Sequence, residues 1–390
     1  MTQVVLASAC RTALGDFGGT LKSFSAAQLA GIVMKHAINS MEDSTCLDKV
    51  IFGNCFSPLD QNVARIAAYQ TGIPENVPGF TINSTCGSSM QAVISAVQAV
   101  QTGEARAVLA GGVESMSNAP YIVETARWGQ RIKHFQGYDL LWKAMQEYPI
   151  GVGMGLTAEN LAEKYDISRE DQDAFAVQSH QRAAKAIRAG KFKAEIVPVQ
   201  VPRGRKEPIV FDTDEHVRAD ISIEQLAKLP AAFKKDGTVT AGNACGMNDA
   251  AAAVIVTTLD KAREIGLSPL ALVRGYKVVG VDPNIMGIGP VPAIRGALAQ
   301  AGMTLADVDR FEINEAFAAQ YLACERELGL DRDKVNIYGS GIALGHPVGA
   351  TGCRLLVTLS HILNSDHLNI GVASLCAGGG MGFAVVLERL

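Results

Sequence analysis

Short apolar runs alternate along the chain with longer amphipathic stretches. Residues 4–9, 50–53 and 80–83 are rich in β-branched and aromatic side chains, which predicts strands. Residues 25–38 and 90–100 carry apolar side chains at helical spacing, which predicts helices. Strands and helices in alternation predict an α/β architecture.

The last third of the chain repeats the landmarks of the first. A predicted strand ending at Asn54 is followed by Cys86, and one ending at Asn314 is followed by His346 after the same number of residues. In each copy the sequence Ala-Gly-Gly then ends another predicted strand. These two Ala-Gly-Gly sequences lie at 110–112 and 377–379. The repeat predicts two similar α/β halves whose corresponding loops meet around a pseudo-two-fold axis.

This repeat divides the chain into three predicted parts. The N-terminal half spans 1–115 and is completed by about 246–268, and the C-terminal half spans 269–390. Residues 116–245 hold both tryptophans of the chain and predict an inserted loop domain that caps the first half. Its aromatic and basic residues suit a nucleotide-bearing ligand or a subunit contact, and the alternative is an ordinary solvated excursion.

Composition and charge exclude several classes of protein. With 390 residues and 48% hydrophobic residues, the chain is long and apolar enough to fold without disulfides, which excludes disorder. The 35 basic and 39 acidic residues give a net charge of -4, so no role in binding nucleic acid or a membrane surface is expected. The apolar run at 250–256 is far too short to span a membrane. Without a targeting segment, the expected location is the cytoplasm.

The eight cysteines show no Cys-x-x-Cys pair and no zinc-finger spacing, so no metal site is expected. Cys86 lies where a predicted strand turns into a helix, flanked by Gly and Ser. The free N–H groups and dipole of a helix N-terminus lower a thiol pKa and stabilise an oxyanion. Cys86 is therefore a candidate nucleophile, with a buried structural cysteine as the alternative.

Three further segments carry candidate chemistry. His346 is followed by Pro347, which fits the first position of a helix, where the dipole favours a neutral imidazole that can act as a base. Cys376 ends a predicted strand before the glycine run 378–380, whose N–H groups can hold an oxyanion. Asn314, at another strand end, supplies an amide that can position a water.

In this order, these segments resemble the signature stretches of the thiolase family along nearly the whole chain. The motifs are Cys-Gly-Ser-Ser at 86–89, Asn-Glu-Ala-Phe at 314–317, Gly-His-Pro-Val-Gly-Ala-Thr-Gly at 345–352 and Cys-Ala-Gly-Gly-Gly-Met-Gly at 376–382. The resemblance implies the thiolase fold, an α/β fold of two similar βαβαβαββ halves in five αβαβα layers with an inserted loop domain.

The resemblance also implies a role for each candidate residue. Cys86 is the nucleophile that becomes acylated, His346 the base that activates it, and Cys376 the acid and base for the carbon acid. Asn314, through a water, forms one oxyanion hole together with His346. The N–H groups of Cys86 and Gly378 form the other.

The implied activity is reversible acyl transfer between a 3-ketoacyl-CoA and CoA, with CoA as a substrate and no permanently bound cofactor. The implied partners are CoA thioesters and a second copy of the chain, in a homodimer or homotetramer. Two alternatives are a catalytically silent CoA-binding assembly protein and a carrier-protein-dependent condensing enzyme. The implied CoA contacts are Arg218 near the nucleotide, and Met154, Cys245, Met286 and Phe317 along the pantetheine channel.

Departures from the family pattern leave the acyl chain length and the direction of the reaction open. Short-chain biosynthetic thiolases usually have His where Gly153 stands and Ser where Cys245 stands. The change at Gly153 favours a degradative 3-ketoacyl-CoA thiolase, and the sequence Tyr-Gly-Ser at 338–340 replaces the usual Asn-Gly-Gly. A reversible disulfide between Cys86 and Cys376 is a further hypothesis.

Overall fold

Strands and helices follow the apolar pattern closely in the computed structural model, which describes residues 2–42, 44–129, 131–132 and 134–390. The strands are β1 Val4–Arg11, β2 Gly15–Asp16, β3 Lys49–Gly53, β4 Gly79–Ile82, β5 Ala107–Ser115, β6 Tyr121–Ile122, β7 Tyr138–Asp139, β8 Val199–Arg203, β9 Lys206–Phe211, β10 Asn248–Thr258, β11 Pro269–Gly280, β12 Arg310–Ile313, β13 Ile370–Ala377 and β14 Met381–Arg389.

The helices are α1 Ala26–Asn39, α2 Val63–Gln70, α3 Ser88–Gln101, α4 Leu140–Gln146, α5 Met154–Lys164, α6 Arg169–Arg188, α7 Ile223–Leu226, α8 Leu259–Glu264, α9 Pro290–Ala301, α10 Ala318–Leu328, α11 Gly341–Leu344 and α12 Thr351–Ser365. The helices predicted at 25–38 and 90–100 are confirmed as α1 and α3, with bounds within two residues of the prediction. Within the described ranges, no helix combines the length and apolar character needed to cross a bilayer.

One continuous sheet runs through both halves. Its strand order is β12-β13-β14-β11-β1-β10-β5-β3-β4. In each half the strands that flank the long central helix in the chain lie parallel, as in β3 with β4 and β5 around α3, and β12 with β13 around α12. The halves join where β1 pairs antiparallel with β11, with Val5 opposite Leu272 and Leu6 opposite Ala271. The repeat predicts two halves but not this shared ladder.

The strands bury both faces, which produces five layers. On β1, Val5 packs with the apolar faces of α1 and α2, whereas Leu6 points to the other side, against α3 and α12. On β14, Val385 faces that same central pair of helices, whereas Val386 faces α9 and α10. Helices therefore cover the outer face of each half-sheet and also lie between the two half-sheets. This follows because successive side chains of a strand point to opposite faces. The expected αβαβα arrangement is confirmed.

The segment between the halves, which the sequence predicts to cap the first half, contacts both halves. In α6, Phe175 stacks on Tyr321 of α10 with ring centroids 4.3 Å apart, which ties this segment to the C-terminal half. In β8, Val199 and Val201 pack in the core of the N-terminal half. The segment therefore bridges the halves on one side of the molecule.

Strand β5 continues past the Ala-Gly-Gly sequence that was expected to end it. It runs to Ser115, because Gly111 and Gly112 let other backbone approach closely. A Cβ on Gly112 would lie 2.1 Å from the carbonyl oxygen of Gly349, and one on Gly111 would lie 2.1 Å from that of Ala252. Gly112 is therefore needed for close packing between the halves and Gly111 for close packing against β10 within the N-terminal half, and neither forms a turn.

A buried ion network fastens the bridging segment to β1. Arg11 is fully buried, and its Nε lies 2.6 Å from Oε1 of Glu195 while its Nη1 lies 2.7 Å from Oδ1 of Asp214. Asp214 also accepts a hydrogen bond of 2.8 Å from the backbone N–H of Leu14. The charges are thus paired and hydrogen-bonded, as buried charges must be.

Replacing Arg11 by methionine is expected to destabilise the fold by about 3–5 kcal/mol, because two buried carboxylates lose their cation. The shift in the urea unfolding midpoint measures this. Replacing the exposed Arg106, which pairs with Asp48 at the surface, is the matched control and is expected to shift the midpoint far less. Equal shifts for the two variants would contradict the role given to the buried network.

Candidate active site

A cavity of about 520 Å³ is lined by residues of the bridging segment and of both halves. Four of the predicted site residues line it, namely Met154, Cys245, Phe317 and His346. Most of the other lining side chains are apolar, including Phe17, Leu141, Trp142, Met145, Phe233 and Met247. A cavity with mainly apolar walls and few polar groups, called the channel below, suits a long and flexible ligand chain.

Cys86 lies two residues before α3, beside the loop that follows β13. The Thr85 hydroxyl donates to the carbonyl of Gly378 at 3.2 Å, which holds the two loops together. Burial raises the pKa of the Cys86 thiol to about 11, although the N–H groups of Gly378 and of Cys86 itself donate to the sulfur. The lowered pKa expected from the helix N-terminus is therefore wrong, since desolvation outweighs it. Because this thiol is protonated at neutral pH, it needs a base to remove its proton before the sulfur can act as a nucleophile.

The two ring nitrogens of His346 differ, since Nδ1 makes a hydrogen bond and Nε2 makes none among the described residues. Its Nδ1 lies 2.7 Å from Oγ1 of Thr351, and that hydroxyl donates to the carbonyl of Pro347 at 2.9 Å. Because the hydroxyl has a single proton, Nδ1 carries the ring proton and donates to Thr351. Nε2 is buried with no hydrogen-bond partner among the described residues and holds the lone pair. This is the tautomer that a base requires.

The imidazole of His346 is neutral, as the sequence predicts, although for a different reason. Burial, and then the charge of Arg354, lowers its pKa to about 3. The helix that follows begins at Thr351 and not at Pro347, so the ring does not stand at the helix start. The backbone N–H of His346 donates to Oδ1 of Asn248 at 2.9 Å, which fixes the residue from the other side.

Asn314 lies directly beside this imidazole at the end of β12. Its side-chain nitrogen is 3.4 Å from Nδ1 of His346, and its backbone N–H donates to the carbonyl of Ser374 at 2.9 Å. Its side chain is completely buried, and Oδ1 has no hydrogen-bond partner in the described part of the chain. A buried amide with an unpaired oxygen therefore lies beside the imidazole that lines the apolar channel.

Cys376 is the last but one residue of β13 and is almost completely buried. Burial, and then the charge on nearby Cys86, raises the pKa of its thiol well above the ordinary value. Cys86 acts in the same direction on the pKa of Cys245. Three thiols therefore lie near each other, and Cys376 holds its proton until a stronger base takes it.

The predicted CoA contacts fall into two groups. Met154 packs on the loop after β13, because a Cβ on Gly378 would lie 2.7 Å from its Cε. Phe317 meets Phe233 edge to face at 5.9 Å within the lining of the cavity. In contrast, Met286 is packed in the core of the C-terminal half and does not line this cavity.

Arg218 also lies outside the lining of the cavity. Its side chain is exposed, and its backbone N–H donates to Nδ1 of His180 at 3.1 Å. Its neighbour His216 approaches the lining residue Gly246, where a Cβ would lie 2.6 Å from Cε1 of the ring. The segment that contains Arg218 therefore contacts the cavity wall through His216, whereas Arg218 itself does not line the cavity.

The sequence reasoning missed two residues that hold His346. Thr351 lies inside the Gly-His-Pro-Val-Gly-Ala-Thr-Gly motif, and its position five residues after the histidine was the available signal. Asn248, fully buried at the start of β10, offered only an amide at a strand end. Among the described residues, no group of three or more His, Cys, Asp or Glu side chains could hold a metal ion.

Comparison with known proteins identifies the relatives of this chain. It is 49% identical over 396 residues to a probable acetyl-CoA acyltransferase of Staphylococcus aureus strain COL, with 100% of each chain covered. It is 50% identical to an acetyl-CoA acetyltransferase of Syntrophomonas wolfei, with 100% of this chain and 99% of that protein covered.

Solved structures give the same result. The acetyl-CoA acetyltransferase of Bacillus anthracis superposes with a TM-score of 0.97 at 49% identity, over 100% of this chain and 99% of that one. Human mitochondrial 3-ketoacyl-CoA thiolase in complex with CoA superposes with a TM-score of 0.95 at 44% identity, over 100% and 98%. The family models for the thiolase N-terminal domain and the thiolase C-terminal domain match residues 4–260 and 267–389. The chain belongs to the thiolase family.

Proposed function

We propose that the protein is an acyltransferase that converts a 3-ketoacyl-CoA and CoA into an acyl-CoA and acetyl-CoA, reversibly and through an acyl-enzyme. Two observations carry this proposal. The protonated thiol of Cys86 accepts N–H groups from two loops, and a neutral His346, whose Nε2 has no hydrogen-bond partner among the described residues, lines the cavity. The relatives named above support the same activity.

In the first half of the reaction, Nε2 of His346 takes the proton of Cys86, and the sulfur attacks the 3-keto carbon. The N–H groups of Cys86 and Gly378 stabilise the resulting oxyanion. The bond between C2 and C3 then breaks and leaves the acyl group on Cys86. The departing carbanion of acetyl-CoA takes a proton from Cys376, beside Asn314 and His346, which supply the second oxyanion site.

In the second half, the proton on His346 first passes to the Cys376 thiolate. Nε2 of His346 then takes the proton of the CoA thiol, and the CoA sulfur attacks the acyl group on Cys86. That proton returns to the sulfur of Cys86 when it departs. The carbonyl oxygen again accepts the N–H groups of Cys86 and Gly378, and Cys86 leaves as the thiolate. The reverse direction begins with acetyl transfer to Cys86, and Cys376 then removes a proton from the methyl group of a second acetyl-CoA. Two thiols are used because one carries the acyl group while the other exchanges a proton with carbon.

Incubation with radiolabelled acetyl-CoA is expected to place one acetyl group on the peptide that contains Cys86. Peptide mass spectrometry after digestion locates the label. A label on another residue, or none with any acyl-CoA, would contradict the mechanism. The absence of any label is also what a catalytically silent CoA-binding protein predicts.

A series of 3-ketoacyl-CoA substrates of increasing length then tests the substrate class. Activity with acetoacetyl-CoA and with longer chains is expected, because the cavity is lined largely by apolar side chains, among them Leu141, Trp142 and Met145. The measured quantity is kcat/KM for thiolysis at each chain length. The same substrates on a carrier protein are the control, and a preference for those would favour a carrier-dependent condensing enzyme.

We also propose a homodimer or homotetramer that acts in the cytoplasm. The bridging segment exposes large apolar side chains, including Trp128, Ile132 and Phe135, and the sheet ends in the exposed edge strand β4 with Phe80 at its surface. Light scattering coupled to size exclusion measures the mass in solution. A monomer at micromolar concentration would contradict the proposal.

A further inference from the structure

A buried carboxylate lies between the two catalytic loops without belonging to either. Glu114, near the end of β5, is completely buried. Its Oε1 accepts from the side-chain nitrogen of Asn54 at 2.9 Å and from the backbone N–H of Phe56 at 3.0 Å. Its Oε2 accepts from the backbone N–H of Cys55 at 3.1 Å and from that of Gly349 at 2.9 Å. Four donors therefore converge on one side chain.

Gly349 connects this carboxylate to the His346 loop. It lies three residues after His346 and two before Thr351, which holds Nδ1 of the imidazole. A Cβ on Gly349 would lie 2.5 Å from the carbonyl oxygen of Val113 and 2.8 Å from Oε2 of Glu114, so the loop is pressed against β5. Glu114 thus fixes this loop at its midpoint.

Cys55 connects the same carboxylate to the Cys86 junction. The thiol of Cys55 donates to the carbonyl of Thr85 at 3.2 Å and lies 3.2 Å from the hydroxyl of Ser88. These residues flank Cys86 on both sides, and the Ser88 hydroxyl in turn donates to the Thr85 carbonyl at 2.6 Å. Glu114 therefore acts on the surroundings of the nucleophile Cys86 through Cys55, and on the loop of the base His346 through Gly349.

We propose that Glu114 is a positioning residue that sets the distance between the thiol of Cys86 and Nε2 of His346. This inference rests on the roles proposed above for Cys86 and His346. It adds a third residue, Glu114, that contacts neither of them. A buried carboxylate that accepts several N–H groups is strongly bound, and removal of an acceptor leaves buried donors unpaired. A shift of about 1 Å between reacting groups can cost about 100-fold in rate.

Glu114→Gln tests the proposal, since glutamine keeps the shape but offers one oxygen to four donors. The measurement is single-turnover acetylation of Cys86 at increasing acetyl-CoA concentration, followed by mass spectrometry. The maximal rate is expected to fall about ten-fold or more, with the half-saturating concentration changed less than about two-fold, because the residue does not contact substrate.

The same substitution in a His346→Ala background separates positioning from general damage. Residual acetylation without the base remains measurable over long incubations, and Glu114→Gln is expected to change it by less than about two-fold. An equal loss in both backgrounds would overturn the proposal, and so would an unchanged maximal rate in the single variant. A wild-type protein that takes no label would instead overturn the proposed function.

Asp48→Asn is the matched control, because Asp48 caps the other end of β5 by accepting the N–H groups of Arg106 at 2.6 Å and Ala107 at 3.2 Å. It is expected to lower the unfolding temperature without changing the acetylation rate. If Glu114→Gln does not fold, Glu114→Asp, which keeps the charge on a shorter side chain, is expected to lower the maximal rate about three-fold. No change in that folded variant would likewise overturn the proposal.

Discussion

Replacing Cys86 by alanine is expected to lower kcat for thiolysis by roughly four orders of magnitude or more, because no acyl-enzyme can form. Serine in the same place is expected to restore little activity. Its hydroxyl is a much weaker acid than a thiol, and the pKa of His346, lowered to about 3 by burial, makes the imidazole a weak base. Steady-state thiolysis, and mass spectrometry of the protein after incubation with acetyl-CoA, measure the two losses.

Cys10→Ala is the matched control for this experiment. Cys10 is a buried thiol of β1 that donates to the carbonyl of Val33 at 3.6 Å and lies in the core of the N-terminal half. Its loss is expected to lower stability and leave kcat within about two-fold, since it lies outside the catalytic loops. A Cys86→Ala variant that still takes up acetyl from acetyl-CoA would show that another residue is the nucleophile.

Replacing Cys376 by serine is expected to separate the two halves of the reaction. Acetyl transfer from acetyl-CoA to Cys86 is expected to stay within about ten-fold of wild type, because that step needs only Cys86, His346 and the N–H groups. Formation of acetoacetyl-CoA is expected to fall by about three orders of magnitude, because a serine hydroxyl cannot take the proton from carbon. Exchange of label between acetyl-CoA and CoA measures the first step, and condensation measures the second.

Equal losses in exchange and condensation would count against the role of Cys376. The control is Cys324→Ser, since Cys324 is also buried and its thiol donates to the carbonyl of Gly287 at 3.2 Å. Both cysteines lie in the core of the C-terminal half. A packing defect at Cys324 is expected to affect exchange and condensation alike, so the ratio of the two rates isolates the chemistry of Cys376.

Much of the fold and of the site follows from the sequence for physical reasons. The apolar period predicts β1, β3 and β4 and the helices α1 and α3, and the two equally spaced landmark pairs place Cys86 and His346 on corresponding loops. Glycine runs mark where backbone must approach backbone, as behind Cys376. Local patterns of this kind depend on residues close together in the chain, which is why they can be read from it.

Contacts between distant segments could not be predicted. Nothing around Glu114 shows that its carboxylate meets Gly349, because that contact depends on how two halves pack. The pKa of Cys86 depends on burial by the whole fold, which outweighs the local helix terminus. Met286 was expected in the channel, but its position in the C-terminal core follows from the packing of the segment around it.

The ladder between β1 and β11 has a consequence for how substrates enter and products leave. Because backbone hydrogen bonds join the two halves into a single sheet, the halves cannot swing apart about a hinge without breaking that sheet. A thioester therefore reaches the cavity between walls that the shared sheet holds in place, and the segment that bridges the halves forms part of those walls. The backbone around the catalytic centre is held in place by that sheet, whereas a half-exposed lining side chain such as Phe17 can change its rotamer without breaking it.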